Sequence, residues 1–430
     1  MVAVVGAGFA GLEVVRGLRR SPLRTILVDR HNHHLFSPLL YQVASSLLEP
    51  SEIARPVRAL IRNIRNADFR LAQVERVDFD ARRLLTDRGP IAYDYLVLSA
   101  GSEDNYFGNP ALAQAAFSLK DLGQALALRN QILTQFEAAA WEADAAERRR
   151  RLTFVIVGGG PTGVENAGAL ADLIALVLRR DFRSFDAREA RIVLVEGGEH
   201  LLNGFAASLQ AAALRSLRQK GVEVVLGANV VDVRDGRLLL AGGRQLEAGT
   251  IIWTAGVKAV EITASPPPAK GRQSRLPVDP TLRLAGRKEV FVAGDLAQFE
   301  QDGRPLLMMI PQAQQEGRYI ARAIAGLLRG RQPEPFRFKD PGMMATIGRN
   351  SGVAEIGRIR LSGFLGWLLW LGFHLLKVVS FRSRAVVLLN WAVEYFFYDR
   401  PVRLIASAIE PRARPQTTAA ERTLSRPAPK

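Results

Sequence analysis

Short apolar runs that end in glycine mark the first part of the chain. Val2 to Val5 lead directly into Gly6-x-Gly8-x-x-Gly11, and apolar residues then recur at helical spacing, at Leu12, Val15 and Leu18. A buried strand, a tight glycine turn and a helix, in that order, are the context of a dinucleotide-binding loop. In such a loop the backbone approaches a pyrophosphate and the helix N-terminus faces it. The pattern predicts a dinucleotide site here.

The same pattern recurs in the middle of the chain. Thr153 to Val157 form an apolar run that meets Gly158-x-Gly160-x-x-Gly163 before another helical stretch. In each copy the next apolar strand ends in an acidic residue, Asp29 in the first and Glu196 in the second. An acid at that place hydrogen-bonds a ribose hydroxyl in dinucleotide-binding folds. Two complete fingerprints predict that the chain binds two dinucleotides.

Each fingerprint is followed by a later strand that ends in small residues. Tyr93 to Leu98 run into Ser99-Ala100-Gly101, and Thr250 to Trp253 run into Thr254-Ala255-Gly256. Small residues there let the backbone approach a ligand. The repetition predicts an internal duplication at the scale of a domain, and thus an α/β fold with two Rossmann-like domains.

Three further stretches complete the predicted organisation. Short strands are expected within residues 68 to 98, helices within 119 to 150, and a loop over 261 to 275. A buried strand over Glu289 to Ala293 ends in Gly294-Asp295. The aspartate there either meets a ligand or simply caps a helix.

Composition favours an anionic partner and excludes thiol chemistry. The 58 Lys and Arg against 42 Asp and Glu give a formal net charge of +16. Nucleic-acid-binding motifs are missing and arginine is spread over every segment, so we expect no nucleic-acid partner. The absence of cysteine excludes disulfides, iron–sulfur clusters and a redox-active cysteine pair. Because residues 1 to 12 already form strand and loop, we expect no cleavable signal peptide and a protein kept in the cytoplasm.

A histidine-rich loop follows the first acidic residue. His31, His33 and His34 have poor spacing for metal coordination and no acidic cluster beside them, so no metal site is predicted. Phe36 to Leu40, which come next, are predicted to line a flat apolar ligand over the first glycine loop.

Together these motifs resemble the two-dinucleotide-binding flavoproteins, in which a domain for NAD(P)H is inserted into one for FAD. Within that superfamily the chain looks like a type II NADH dehydrogenase, a single-subunit NADH:quinone oxidoreductase of respiratory membranes. The resemblance extends to about residue 405. It rests on these segments: Gly6 to Gly11, His34 to Ala44, Gly158 to Glu165, Trp253 to Val257, Val292 to Asp295, Ala345 to Arg349, Leu361 to Phe364 and Phe381 to Arg384.

The resemblance implies five segments with distinct roles. They are an FAD-binding domain in two parts, 1–118 and 276–340, an inserted NADH-binding domain, 119–275, a membrane-association or dimerisation region, 341–410, and a tail, 411–430. The tail has four prolines and no periodicity, so it is predicted to be disordered.

The resemblance also implies which residues contact each dinucleotide. For FAD they are Gly6, Ala7, Gly8, Phe9, Ala10, Gly11, Asp29, Arg30, Val74, Ala100, Gly101, Gly294, Asp295 and Ala313. For NADH they are Gly158, Gly160, Pro161, Thr162, Gly163, Glu196, Ala255 and Gly256. Glu196 would bind the ribose diol and repel a 2′-phosphate, so NADH is expected over NADPH.

Glu165 matches the family glutamate beside the nicotinamide and flavin, implicated in positioning and proton relay. From the residues alone it is equally well a structural acid on a buried helix face. The resemblance implies that hydride passes from NADH to FAD and that two electrons then pass to an acceptor. Without cysteine that acceptor is diffusible, unlike the acceptors of the disulfide reductases and of sulfide:quinone oxidoreductase.

The segment near the expected quinone tunnel departs from the family pattern. Ala313, Gln315 and Gly317 match it, but Ile310-Pro311 stand where the family has Ala-Gln, and Glu316 replaces a glutamine. The quinone contacts are therefore open, with Gln312 and Gln314 as candidate substitutes.

The C-terminal apolar segments decide the membrane prediction. Leu361 to Leu376 contain 16 uncharged residues, a helix of roughly 24 Å against a hydrocarbon core of about 30 Å. His374, Lys377 and Arg384 are predicted to share one helical face, which favours an interfacial or dimer-forming helix over a transmembrane or buried one. From residue 358 onward 12 basic residues stand against four acidic ones, beside the aromatic-rich stretch 386–398. This favours an anionic lipid surface over a solvated tail.

The predicted protein is a peripheral flavoenzyme on the cytoplasmic side of the cell membrane that oxidises NADH, reduces a membrane quinone and pumps no protons. A homodimer is expected. One alternative is a soluble FAD-dependent NAD(P)H oxidoreductase with a protein or other small acceptor. A second is a nucleotide-sensing flavoprotein with negligible turnover.

Overall fold

The computed structural model describes residues 1–234, 236–378, 381–397, 400 and 402–405. Its first elements are β1 (Val2–Val5), α1 (Phe9–Gly17), β2 (Thr25–Asp29), β3 (His33–Leu35), α2 (Leu40–Ala44), α3 (Pro50–Ile53), β4 (Ala54–Pro56), α4 (Val57–Ile61), β5 (Ala67–Leu71), β6 (Val74–Asp78), β7 (Arg83–Thr86), β8 (Ile91–Ala92), β9 (Tyr95–Leu98), β10 (Ser102–Asp104), α5 (Pro110–Ala115) and β11 (Ala116–Phe117). The strands predicted within 68 to 98 are confirmed.

The middle of the chain contains the second strand, glycine loop and helix unit. Its elements are α6 (Leu122–Trp141), α7 (Ala145–Arg151), β12 (Thr153–Val157), α8 (Pro161–Leu173), α9 (Arg179–Asp181), β13 (Arg191–Val195), α10 (Ala207–Gln219), β14 (Val222–Val225), β15 (Val230–Arg234), β16 (Arg237–Leu240), β17 (Gln245–Glu247), β18 (Thr250–Trp253), β19 (Val257–Ala259), β20 (Ala264–Ser265) and β21 (Leu276–Pro277). The predicted helices within 119 to 150 are confirmed as α6 and α7.

The last part of the chain is mixed and ends in two helices. Its elements are β22 (Val290–Val292), β23 (Ala297–Gln298), β24 (Glu300–Gln301), β25 (Arg304–Pro305), α11 (Ile310–Leu327), β26 (Met343–Thr346), β27 (Gly352–Ile356), β28 (Ile359–Ser362), α12 (Gly363–Lys377) and α13 (Phe381–Phe397). The predicted disordered tail, 411–430, lies outside the described residues.

Two parallel five-stranded sheets organise these elements, which confirms the α/β fold class. The first has the order β22-β9-β1-β2-β5 and the second β11-β18-β12-β13-β14. Strand β1, from Val2 to Val5, is buried along its whole length, as expected for a parallel strand covered on both faces. Because β22 follows the second sheet in sequence but pairs with β9, the second sheet lies in a segment inserted into the first unit.

Close packing of α1 against α11 covers one face of the first sheet. A Cβ built on Gly17 would lie 2.4 Å from Cβ of Ala321, and one built on Gly317 would lie 2.3 Å from the carbonyl oxygen of Ala10. Glycine at these two places lets the helices approach more closely than any side chain would allow. The approach places the start of α11 beside the first glycine loop.

A third, antiparallel sheet carries the C-terminal helices. It has the order β26-β27-β28, and α12 packs on it where Gly352 and Gly366 meet. Helix α13 reaches back to the first unit, because Nδ2 of Asn390 donates to Oε1 of Glu52 at 2.7 Å. This part of the chain therefore contacts both preceding units.

The predicted common face of His374, Lys377 and Arg384 is wrong. Helix α12 ends at Lys377, and Arg384 belongs to α13, where its Nε donates to the carbonyl oxygen of Val378. His374 is buried rather than on a polar face. Helix α12 ends at Lys377 and α13 begins at Phe381, so a single helical periodicity does not extend over the three residues.

One described helix is long and apolar enough to cross a membrane, the stretch Pro161–Asp181. It contains α8, a π-helical segment Ile174–Leu178 and α9. Within the protein 78% of its apolar window is buried. A core helix of the second unit accounts for that composition.

Candidate functional site

Both glycine loops open into one cavity of about 1090 Å³. Fifteen of the predicted site residues line it: Gly8, Phe9, Ala10, Gly101, Gly158, Gly160, Pro161, Thr162, Glu165, Glu196, Ala255, Gly256, Gly294, Asp295 and Ala313. The other predicted residues lie outside its lining: Gly6, Ala7, Gly11, Asp29, Arg30, Val74, Ala100 and Gly163. The structure thus brings the two predicted dinucleotide sites together in a common space.

The first glycine of each loop is required by the backbone. Gly6 and Gly158 have φ of 100° and 110°, and a Cβ on Gly6 would lie 2.2 Å from the carbonyl oxygen of Ser99. The turn therefore brings the loop against the small residues that end β9. The second unit repeats this relationship, with Gly158 against Ala255 at 2.7 Å.

The second glycine of each loop faces open space. A Cβ built on Gly8 or on Gly160 would meet nothing within 4 Å, and both residues line the cavity. Neither glycine is needed to avoid a contact within the described protein. The free space above each helix N-terminus fits a pyrophosphate bound by backbone N–H groups. The residues present therefore fit a dinucleotide, such as FAD or NADH, at each loop.

Equivalent hydroxyl groups, one in each unit, hydrogen-bond to the strands that lead into the two glycine loops. Oγ of Ser99 donates to the carbonyl oxygen of Val5 at 2.8 Å, and Oγ1 of Thr254 donates to that of Val157 at 2.8 Å. Each hydroxyl ties the strand that ends in small residues to the strand that leads into the glycines. The predicted duplication therefore extends to individual hydrogen bonds.

The two acidic residues hold the backbone of the loops. Oδ2 of Asp29 accepts from the backbone N–H of Ala7 at 2.7 Å, and Oε2 of Glu196 accepts from that of Gly159 at 2.5 Å. A carboxylate has about four lone-pair sites, so each acid retains acceptor capacity for a ribose hydroxyl. Arg30, next to Asp29, is exposed.

The side chain of Asp295 takes part in a series of hydrogen bonds and does not cap a helix. It lies in the short 3-10 turn Gly294–Leu296, and its Oδ2 accepts from the hydroxyl of Ser102. That hydroxyl in turn accepts from Nζ of Lys120 at 2.8 Å. Lys120 also lines the cavity, and it is a residue that the sequence analysis missed. A single lysine before a helix has no pattern by which it could be found.

Glu165 is a buried carboxyl on the cavity wall. Its Oε1 accepts from Nε1 of Trp370 at 3.1 Å and from the backbone N–H of Thr346 at 3.3 Å. Burial raises the pKa of Glu165 to about 8 despite these two donors. The group is therefore mainly protonated at neutral pH, and both described donors leave Oε2 available to a ligand.

Aromatic side chains of α12 complete this wall. The rings of Trp370 and His374 stack with centroids 4.1 Å apart, and Nδ1–H of His374 donates to the carbonyl oxygen of Trp370. Burial lowers the pKa of His374 to about 4, so the imidazole is neutral. Lys377, one turn further on, lines the cavity with its Nζ 5.4 Å from the ring centre of Phe373. Sequence reasoning predicted an interfacial or dimer-forming helix here and assigned Trp370 no role at the site.

Helix α13 reaches the cavity through a glutamine. Nε1 of Trp391 donates to Oε1 of Gln42 at 2.8 Å, and Nε2 of Gln42 donates to the hydroxyl of Tyr41 at 2.8 Å. Tyr41 lines the cavity. Its hydroxyl proton is free to be offered to a ligand, since the amide supplies the donor on the other side.

The histidine-rich loop packs against the first glycine loop. Nδ1–H of His34 donates to the carbonyl oxygen of Ala7 at 2.9 Å, and its ring meets Phe9 edge to face. Phe36 and Pro38 line the cavity, in agreement with the predicted apolar lining. In the described part of the chain no group of three or more His, Cys, Asp or Glu could hold a metal ion.

The segment that departs from the family pattern, residues 310–316, has side chains on two faces of α11. Ile310, Pro311 and Gln314 line the cavity. Gln312 is buried on the other face, where its Nε2 donates to Oε1 of Glu316 at 2.7 Å. Of the two candidate substitutes, only Gln314 therefore faces the cavity.

Comparison with known proteins identifies relatives that cover most of the chain. Residues 1–317 match the family model of the pyridine nucleotide-disulphide oxidoreductases. The type II NADH:quinone oxidoreductase Ndh of Mycobacterium tuberculosis is 37% identical over 92% of this chain and 88% of its own length. NdhA of the same organism is 34% identical over 98% of this chain and 94% of its own length. The structure of NDH2 from Plasmodium falciparum in complex with NADH has a TM-score of 0.86, with 18% identity, and covers 94% of this chain and 99% of that protein.

Proposed function

We propose a function from one premise: the chain belongs to the type II NADH:quinone oxidoreductases, within the pyridine nucleotide-disulphide oxidoreductase family. It is an FAD-dependent enzyme that oxidises NADH and reduces a quinone without pumping protons. The family name includes a disulfide, but the chain has no cysteine and so none of the thiols that disulfide chemistry needs.

One observation carries this function. Gly8 and Gly160, at the two predicted pyrophosphate sites, line the same cavity. Two dinucleotides bound at these loops would share this cavity, whose wall includes Glu165 and aromatic residues of α12. FAD, when bound, supplies the hydride acceptor and passes electrons on in pairs. The protein residues position the reactants and hold protons.

We assign the first loop to FAD and the second to NADH. Asp29 and Asp295 would hold the ribose and the ribityl chain of FAD, with Gly101 and Ala313 against the cofactor. Glu196 would bind the ribose of NADH, and Gly256 would lie against the nicotinamide half. Gly6 and Gly163, which lie outside the cavity lining, act by shaping the loops.

Glu165 is proposed to hold and donate a proton at the acceptor end of the cavity, where the quinone would bind. Its raised pKa makes it a proton donor at neutral pH, and Trp370 holds Oε1 in place. A quinone that takes two electrons must also gain two protons. The neutral imidazole of His374 and the side chains of Phe36 and Phe373 give this end the apolar character that a quinone ring needs.

We further propose that the C-terminal helices attach the enzyme to the cytoplasmic face of an anionic membrane. Large apolar side chains are exposed on α12 and α13, among them Leu365, Leu368, Leu389 and Phe396. Exposed Arg358, Arg360 and Arg382 lie in the same region of the chain. Apolar and basic groups together favour binding to an anionic lipid surface. The alternative use of this apolar surface is as the interface of the expected homodimer.

An anaerobic mixing experiment tests the function. NADH added to the purified protein should bleach the flavin absorbance, and a short-chain quinone added next should restore it. Bleaching that a quinone does not reverse would keep the NADH and FAD sites and contradict the acceptor. A protein whose flavin does not bleach would contradict the assignment altogether.

A further inference from the structure

A second buried carboxyl lies beneath the proposed FAD site. Glu316, on α11, is fully buried, and its Oε2 accepts from the backbone N–H of Gly294 at 2.5 Å. Gly294 begins the turn that presents Asp295 to the cavity, and a Cβ on Gly294 would lie 3.5 Å from Ala313 and 3.7 Å from Ala10. Glu316 thus holds a turn that the proposed cofactor would contact.

The neighbouring amide has an unpaired atom. Gln312 is buried, and Nε2 donates to Oε1 of Glu316, but its own Oε1 is buried without a hydrogen-bond partner. Buried polar atoms are nearly always paired, so this oxygen calls for an explanation. If Glu316 is protonated, a half-turn of the amide brings this oxygen to the carboxyl as acceptor of its O–H. The pair therefore has a hydrogen bond for each charge state of Glu316.

The charges around Glu316 oppose one another and do not hold its carboxyl in one protonation state. Buried Arg275 favours the charged carboxylate, and Asp295 opposes it. Burial is the largest influence and raises the pKa of Glu316 to about 8. On α1, which packs against α11, Glu13 pairs instead with Arg16 and Arg318. Glu316 therefore changes charge within the neutral to mildly alkaline range.

We propose that Glu316, with Gln312, is a positioning residue that couples the charge beneath the Gly294–Asp295 turn to the redox state of the bound flavin. The inference rests on the proposed FAD site. NADH supplies both electrons, and the proton that Glu316 gains comes from solvent and returns there when the acceptor removes the electrons. At Glu316 only the O–H bond of the carboxyl forms and breaks. A negative charge held in a poorly polarisable interior opposes electrons added nearby.

The test is a redox titration of the flavin against a reference dye, in the wild-type protein and in Glu316→Gln. At about pH 9.5, where Glu316 is charged, the two-electron reduction of Glu316→Gln should have an equilibrium constant about tenfold larger, a midpoint about 30 mV more positive. At about pH 6 the carboxyl is neutral, so the two proteins should agree within about twofold. Glu300→Gln, which removes one exposed charge, should match the wild type at both pH values.

A second variant keeps the test decisive if Glu316→Gln does not fold. Gln312→Leu removes the side-chain donor to Oε1, which disfavours the charged carboxylate, so its midpoint at about pH 9.5 should move toward that of Glu316→Gln. A difference in midpoint between variant and wild type that is equal at both pH values, or absent at both, would overturn the coupling. Glu316 would then have only a packing role. Absence of flavin from every variant and the wild type would overturn the proposed FAD site, and this inference with it.

Discussion

Nε1 of Trp370 donates to Oε1 of Glu165 at 3.1 Å, so a hydrogen bond joins α12 to the helix that follows the second glycine loop. The bond connects the proposed membrane-attaching region to the proposed proton-holding group. Trp370→Phe removes the donor and keeps a ring in the packed site. Loss of one hydrogen bond to a charged group costs about 1.5–3 kcal/mol, so the pKa of Glu165 should rise by roughly one unit or more.

The measurement is the pH dependence of kcat for quinone reduction. Because the protonated form of Glu165 is the proposed proton donor, the falling limb of the profile near pH 8 should move to higher pH in Trp370→Phe. Trp367→Phe is the matched control, since Trp367 lies on the same helix but stacks on Tyr395. An unshifted limb in Trp370→Phe would show that Glu165 does not set it.

The two open glycines predict a clean separation of the two nucleotide sites. The Cβ of Gly8→Val or of Gly160→Val would have no neighbouring atom within 4 Å in the described protein, so both proteins should fold. Gly8→Val should be isolated with little flavin, because its side chain fills the first pyrophosphate site. Gly160→Val should retain flavin. NADH should bleach this flavin at least about 100-fold more slowly than in the wild type, a fold-change that corresponds to about 2.7 kcal/mol.

Each of these variants is the control for the other, and the ratio of flavin to protein is the measurement. Circular dichroism checks that both are folded. Equal loss of flavin from both proteins would contradict the assignment of FAD to the first loop and NADH to the second.

Glu196 should set the preference for NADH over NADPH. Glu196→Gln keeps an oxygen that can accept from the N–H of Gly159 but removes the charge that repels a 2′-phosphate. A like-charge contact costs at least about 1.4 kcal/mol, so the ratio of kcat/KM for NADPH to that for NADH should rise about tenfold or more. Glu199→Gln, an exposed acid three positions away, should leave the ratio unchanged. An unchanged ratio in Glu196→Gln would remove Glu196 from the ribose site.

Stability should fall as pH rises, because Glu165 and Glu316 are both buried with pKa values raised to about 8. Between the ordinary value of 4.5 and about 8 the folded protein binds more protons than the unfolded chain. Each carboxyl therefore lowers the free energy of unfolding by up to about 1.4 kcal/mol per pH unit in that window.

Urea unfolding of the FAD-free protein at several pH values measures this slope. Glu316→Gln and Glu165→Gln should each reduce the decline by up to about 1.4 kcal/mol per pH unit. Glu300→Gln provides the exposed control. A decline that is as steep in both buried-site variants as in the wild type would show that these carboxyls do not titrate as described.

Local sequence patterns predicted the two dinucleotide loops because each loop is determined by contacts close in sequence. Glycine at 6 and 158 is required by the turn itself, and the apolar runs before them can only be buried strands. The insertion of one unit into the other depended on the resemblance, since the pairing of β22 with β9 joins distant segments.

The acceptor end of the cavity could not be predicted in the same way. Trp370 and Lys120 reach the cavity from separate elements, and neither lies in one of the segments that carry the resemblance. The face predicted for His374 and Arg384 is wrong because the two residues belong to separate helices, α12, which ends at Lys377, and α13, which begins at Phe381. Residues brought together by tertiary packing leave little periodic trace in the sequence.

Membrane attachment should depend on the exposed apolar residues of α12 and α13. Leu368 is 51% exposed, and burying a leucine in lipid contributes about 1.5–3 kcal/mol, so Leu368→Glu should lower vesicle binding by about tenfold or more. Trp141→Glu is the matched control, because Trp141 is 90% exposed on α6, outside the C-terminal helices. Co-sedimentation with vesicles of phosphatidylglycerol and phosphatidylcholine in equal parts measures the bound fraction. Added salt should weaken binding to these vesicles if the basic residues contribute. If Leu368→Glu binds as well as the wild type but no longer dimerises, the apolar surface is an interface between two copies of the chain.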